Sequence, residues 1–201
     1  MQFPKTGGTW VNRVKVRVAQ GSGWLTVPVR RDYHGVRPIN EIQIDNSKSW
    51  RDRMRKTLET NYRRTPHFQP TMDVVADILS YEGDSLSELN IRGLRKMLAY
   101  IGLSSRSVVT SGSLDRHEAG TDLLVAIARA VHADTYLSGD GADGYQDRGT
   151  FEANGITLTF QGFEHPTYSQ TGGGAFQRGL SIVDALFEIG PSATARLLEV
   201  R

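Results

Sequence analysis

Cysteine is absent from the 201 residues, which excludes disulfides, a thiolate zinc site and a thiol nucleophile. No apolar run approaches the roughly 20 residues that a membrane-spanning helix needs. The N-terminal MQFPKTGGTW lacks the apolar core of a secretory signal. An excess of one charge is also missing: 24 Lys and Arg stand against 22 Asp and Glu, for a formal net charge of +2. That balance is too small to argue for nucleic acid on its own. The basic residues are nevertheless gathered, at Arg30 and Arg31, from Arg51 to Lys56, and at Arg63 and Arg64. No repeat, low-complexity tract or linker divides the chain. We therefore expect one domain over 1–201, in the cytoplasm, with no membrane contact and no metal.

What is present reads first as strands and later as strands alternating with helices. VKVRV (14–18) alternates apolar and basic residues, and the turn residues Gln20 to Gly23 lead to a return strand from Trp24 to Val29. Pro28 has no N–H for a ladder and places that strand at an edge. Ile39, Ile42 and Ile44 suggest a third short strand. Ser49 and Asp52 open a helix with Trp50, Met54, Leu58 and Tyr62 on one face, and Arg51, Arg55 and Arg63 on its wet side. A second helix follows Pro66, near Met72 to Leu79. Ser85 and Glu88 form a capping box for a third, which Gly102 stops. The remainder predicts strands at 106–110, 135–137 and 156–160, and helices at 122–132, 147–153 and 181–189. Strands separated by helices favour parallel pairing with right-handed crossovers. The expected fold is α/β: a mostly parallel, Rossmann-like sheet with flanking helices and an N-terminal β-hairpin.

The stretch ADTYLSGDGADGYQD (133–147) runs a strand straight into glycines and aspartates. In open parallel sheets ligands bind beyond the carboxyl ends of strands, where glycine admits close backbone approach and helix N-termini offer free N–H groups. Ser138, Gly139, Gly141 and Tyr145 are accordingly candidate binding residues, although Gly and Asp also make plain turns. Asp140 and Asp143 lack calcium-loop spacing, and the lysine of a phosphate-binding P-loop is missing. His165 follows the strand ending near Phe160. An imidazole titrates near neutrality and suits a general base, against the alternative of a loop histidine stiffened by Pro166. Tyr168 and Gln170 are placed to orient a substrate. Asp147 either holds a substrate group or stabilises the first turn of its helix. Asp184, three residues after Ser181, either joins the site or caps the last helix. Asn12 and Arg13 precede the first strand, and an arginine fork suits carboxylate or phosphate.

Six phrases together resemble the WbqC-like family: WVNRVKV (10–16), WLTVPV (24–29), INEIQID (39–45), ADTYLSG with Tyr145 and Asp147, HPTYSQ (165–170) and LSIVDALFEIG (180–190). They span nearly the whole chain. The family is bacterial and associated with O-antigen and other glycan gene clusters. The resemblance implies a cytoplasmic α/β protein, with some members proposed to move glycine or another acyl group onto amino sugars. There are two departures. Relatives open with an upstream strand, a Q-P-x-Y-x-P-W-like loop and a helix, whereas this chain starts beyond them, so a shortened product or a misassigned start is expected. Asp143 stands where relatives often carry Arg or another residue, a change that bears on any anion contact.

The expected function is transfer of a small acyl or aminoacyl group to an amino sugar in surface-glycan assembly. His165 would be the base, Asp147 and Tyr168 would position, and the 138–144 loop would contact the nucleotide or phosphate part of a nucleotide-linked substrate. No cofactor is specified, and aminoacyl-tRNA, a CoA thioester and an ATP-activated acid stay open as donors. Nucleic acid enters only if the donor is aminoacyl-tRNA. The alternatives are a non-catalytic nucleotide-sugar or partner-binding module, and an RNA-contacting protein using the 51–64 helix.

Overall fold

A computed structural model describes residues 2–4, 9–105, 107–142 and 144–198. Arg106, the expected start of a strand, and Asp143, the family departure, lie outside the described residues. The chain divides into two compact units, one of residues 1–106 and 166–201 and the other of residues 107–165.

The first unit holds strands β1 (Gln2–Pro4), β2 (Arg13–Val18), β3 (Gly21–Thr26) and β4 (Val36–Pro38), then helices α1 (Trp50–Tyr62), α2 (Phe68–Leu79) and α3 (Leu86–Tyr100). β2 and β3 form the expected antiparallel hairpin, with Lys15 opposite Trp24 and Val16 opposite Gly23. Gly21, at φ 114, supplies the left-handed turn geometry that glycine tolerates. β1 pairs antiparallel with β4, and the isoleucines expected as a strand instead form a short 3₁₀ turn followed by isolated bridges at Gln43 and Ile44. Trp50, Met54, Leu58 and Tyr62 are all buried, as their spacing predicts. The capping box at α3 is half realised. Ser85 accepts from the Glu88 N–H at 3.3 Å, but the Glu88 carboxylate turns to the Tyr81 hydroxyl, at 2.6 Å.

Helix α6 (Ile182–Leu197) completes this unit. Phe187 is fully buried and stacks on Tyr62 at 4.6 Å between ring centroids, joining the end of α1 and the first half of α6 in one core. The expected end of that helix at residue 189 marks a real break. Gly190 takes φ 76 and ψ 175, a combination that essentially only glycine adopts, and Pro191 begins the next turn, where its missing N–H does no harm. A Cβ on Gly190 would lie 2.7 Å from the His67 ring. Gly190→Ala is therefore expected to destabilise the protein by about 2–5 kcal/mol, backbone strain and overpacking together. Urea unfolding checks this, and adding His67→Ala should recover only the steric share.

The second unit is a βαβ arrangement. α4 (Gly120–Ala130) leads to β5 (Thr135–Ser138), α5 (Arg148–Ala153) and β6 (Thr157–Phe160). β5 and β6 pair parallel, with Tyr136 opposite Leu158. Its core packs Val125, Ala128, Phe151, Ile156 and Leu158. Residues 107–110 form no strand.

The protein is thus mixed α/β, with a hairpin and a parallel pair where they were expected. The described strands make three two-stranded sheets rather than one mostly parallel sheet. The difference has a simple origin. Alternating patterns specify strands locally, whereas pairing partners depend on contacts far apart in sequence.

Candidate functional site

In the first unit, one turn of α6 presents Asp184 and Glu188 on the same side, and both are buried. Asp184 Oδ1 accepts from the Tyr62 hydroxyl at 2.6 Å. Its Oδ2 accepts from the Tyr168 hydroxyl at 2.7 Å and the Gln170 amide at 3.0 Å. The Tyr62 oxygen in turn accepts from the Arg17 N–H at 2.8 Å. The Arg17 guanidinium donates to the Glu188 carboxylate and the Thr171 carbonyl, and its Nε lies 3.8 Å from Asp184 Oδ1. Glu188 Oε2 also accepts from the Thr171 N–H at 2.9 Å.

One cation between two carboxylates, ringed by neutral donors, leaves each buried oxygen partnered. Burial, and then the bond to Asp184, push the Tyr62 and Tyr168 hydroxyls far above the ordinary tyrosine range. At neutral pH both remain donors and neither is poised to act as a base.

This cluster fastens the segment 168–177 to α6. Gln170 closes the segment on itself, accepting from the Gln177 N–H at 2.9 Å. Between that segment, β2 and the end of α1 lies a cleft of about 840 Å³, within the size range of small-molecule sites. Three arginines line it (Arg17, Arg63 and Arg64), with no Asp or Glu among the lining residues. Gly172, Gly173 and Gly174 form part of its wall, all at positive φ, a run that no other residue type would adopt so readily.

Tyr168, Gln170 and Asp184 thus meet at one point. Asp184 is not the helix cap. Ser181 takes that role, accepting from the Val183 N–H at 3.4 Å, which frees the Asp184 carboxylate for the side-chain network. Asn12 is buried and pins a turn, donating to the Val27 carbonyl at 3.0 Å and accepting from the Thr9 N–H at 3.2 Å. The Arg13 guanidinium lies over the Trp24 ring at 4.2 Å, a cation–π placement. Arg51 is not on the wet face of α1. It donates to the carbonyls of Leu79 and Tyr81, at 3.0 and 2.6 Å, while Arg55 and Arg63 are exposed.

In the second unit the carboxyl ends of β5 and β6 lie on the same edge, as parallel pairing requires, and the 139–147 and 161–165 loops follow them. Asp140 laces those loops together, accepting from the Gly162 and Phe163 N–H groups at 2.7 and 2.9 Å. These bonds hold its carboxyl below the usual range. Ser138 is buried and its hydroxyl donates to the Gly139 carbonyl at 3.2 Å. Gly139 and Gly141 face open space, and Tyr145 is 87% exposed. Asp147 caps α5, accepting from the Gly149 and Thr150 N–H groups at 3.1 and 3.2 Å and from the Thr150 hydroxyl at 2.5 Å. The Thr150 hydroxyl, then the Gly149 N–H, depress its pKa. The stability this cap adds is full above the unfolded carboxylate range and is lost as pH falls through the lowered value. His165 is half-buried, its ring 6.0 Å from that of Phe163 and inclined at 70°.

Sequence reasoning missed Arg17, Tyr62, Glu188 and the cleft-facing Arg64. Glu188 left one signal, an acid inside the apolar LSIVDALFEIG, one turn after Asp184. Among the described residues no helix is long and apolar enough to cross a membrane.

No solved structure matches the chain. It is similar to the uncharacterised protein Rv1507c of Mycobacterium tuberculosis, 32% identical over 195 residues that cover 96% of this chain and 82% of the relative. The model of the WbqC-like protein family matches residues 1–196, taking in the 168–177 segment, both acids of α6 and the βαβ unit. The chain belongs to the WbqC-like protein family.

Proposed function

We propose that this protein binds a nucleotide-linked amino sugar in surface-glycan assembly and moves a small acyl or aminoacyl group onto its amine. The observation that carries the reading is the cleft of the first unit, lined by three arginines, amide-bearing side chains and a glycine-rich wall, with no acid. Such a lining suits a polyhydroxylated, phosphate-bearing ligand better than an apolar one. The sugar amine would attack the carbonyl carbon of an activated acyl donor. A C–N bond forms, the bond from the acyl carbon to the donor's oxygen or sulfur breaks, and the ammonium proton passes to a general base. Tyr168 would position the substrate through a hydroxyl already fixed on Asp184, and Asp147 would act by setting the start of α5. The cytoplasm, where activated sugars and acyl donors are made, is the matching compartment.

A second reading, a non-catalytic module for a nucleotide sugar, is favoured by a specific observation. Asp147, Tyr168 and Gln170 are all spent on bonds within the protein. Thermal-shift measurements with UDP- and dTDP-linked amino sugars, ATP and acyl-CoA test binding, because ligands of the native state raise its melting temperature. Mass spectrometry of the sugar after incubation with each donor tests transfer. A melting shift with no acylated product supports the module, and no shift with any sugar nucleotide overturns both readings.

A further inference from the structure

Arg63 and Arg64 sit at the carboxyl end of α1 and both line the cleft. Among the described residues neither guanidinium has a hydrogen-bond, ion-pair or ring partner. Arg17, which also lines the cleft, is committed to Glu188 and Thr171. The cleft therefore holds two uncompensated cations with no carboxylate among its lining residues to neutralise them. In the lining of the same cleft, Gly172, Gly173 and Gly174 are exposed, and their N–H groups take no acceptor among the described residues. A Cβ on Gly173 or Gly174 would meet nothing within 4 Å, so the left-handed backbone there, rather than crowding, is what calls for glycine.

We propose that Arg63, Arg64 and the Gly172–Gly174 amides form a diphosphate subsite, which on the functional reading above takes the diphosphate of the sugar nucleotide. The chemistry is consistent throughout. Guanidinium forks and backbone N–H groups both recognise phosphate oxygens. The Asp184 and Glu188 network holds the glycine segment in place through Tyr168, Gln170 and Thr171, so the amides are set before a ligand arrives. The alternative is that the arginines merely complement the negative end of the α1 dipole. That role predicts an effect on stability alone.

Inorganic pyrophosphate is the probe, titrated calorimetrically at low ionic strength into the wild-type protein, the R63Q/R64Q variant and a control, R53Q/R55Q. The control removes two exposed arginines of the same helix that lie outside the cleft. Pyrophosphate should bind the wild type and the control alike and bind R63Q/R64Q about tenfold or more weakly, the loss of charge-assisted bonds. Equal weakening in both variants would show diffuse electrostatics and overturn the subsite. So would a lowered melting temperature in R63Q/R64Q with unchanged binding. Single-stranded RNA that binds more tightly than pyrophosphate and is lost in both variants would overturn it in favour of a basic helix face. A UDP-linked amino sugar separates the subsite from the function. If it binds wild type and R63Q/R64Q equally, the subsite is wrong and the functional reading stands. If pyrophosphate binds in the expected pattern but no sugar nucleotide does, the subsite stands and the functional reading falls.

Discussion

Replacing Asp184 by alanine is expected to destabilise the protein by about 3–5 kcal/mol, the range for removing one member of a buried charged network. Asp184 is fully buried and takes three side-chain donors, from Tyr62, Tyr168 and Gln170. Deleting the carboxylate strands those donors away from water and leaves a cavity, and each unmade bond carries its own desolvation penalty. The acceptors cannot be replaced locally, because Glu188 is already engaged by Arg17 and by the Thr171 N–H. Tyr168→Phe removes one donor from a carboxylate that keeps others, so about 1 kcal/mol is expected, and Gln170→Ala, which also removes both bonds to Gln177, should cost about 2 kcal/mol. Urea unfolding of the three variants provides the ranking. A loss at Asp184→Ala no larger than at Tyr168→Phe would show that the network is not cooperative. The 168–177 segment should also become more protease-sensitive in Asp184→Ala at temperatures where the protein stays folded, since its anchor to α6 is then halved.

How much of this was legible in the sequence depends on the range over which each signal acts. The face of α1 was read from Trp50, Met54, Leu58 and Tyr62 because helical periodicity is local. The last helix was read to end at Ile189 on the same local grounds, and its continuation beyond Pro191 was not read. Sheet organisation was not, because the partner of β1 is β4, and no pattern within either three-residue strand names the other. Arg17 shows the same limit at the site. In VKVRV it alternates with the valines, and alternation places it on the solvated side of a half-buried strand. The hairpin does put it on that side, but α6 packs there and supplies Glu188. Only tertiary contact converts a surface arginine into the clasp of a buried acid. Asp184 was ambiguous between cap and site because Ser181 and Asp184 both fit an N-terminal motif, and the structure divides those roles between them. Arg63 was read as solvated helix charge, and Arg64 only as part of a basic cluster. They are exposed, and what the sequence could not convey is that the glycine segment, more than a hundred residues later, walls the same cleft.

If His165 takes the proton from the attacking amine, His165→Ala should lower turnover by roughly 10²–10⁴-fold, the usual contribution of a general base, while leaving the melting temperature near that of the wild type. The side chain is only half-buried and lies beyond the end of β6, outside the core of Val125, Phe151 and Leu158 that stabilises its unit, so truncation creates no large cavity. A purely structural role would also be tolerant of kinetics, and two readouts separate the cases. Added imidazole should restore part of the turnover of His165→Ala, because a free base can occupy the vacated position, whereas a lost loop contact gains nothing from it. Sugar-nucleotide affinity should be unchanged, because binding is assigned to the cleft of the first unit and its arginines. The R63Q/R64Q variant should show the converse pattern, weakened binding with the proton-transfer step intact once the substrate is saturating. Turnover unchanged in folded His165→Ala would remove the histidine from the chemistry, and a fall in affinity equal to the fall in turnover would make it a binding residue. The combination that carries the transferase reading is a loss confined to kcat, rescued by imidazole, beside an arginine variant whose defect is confined to binding.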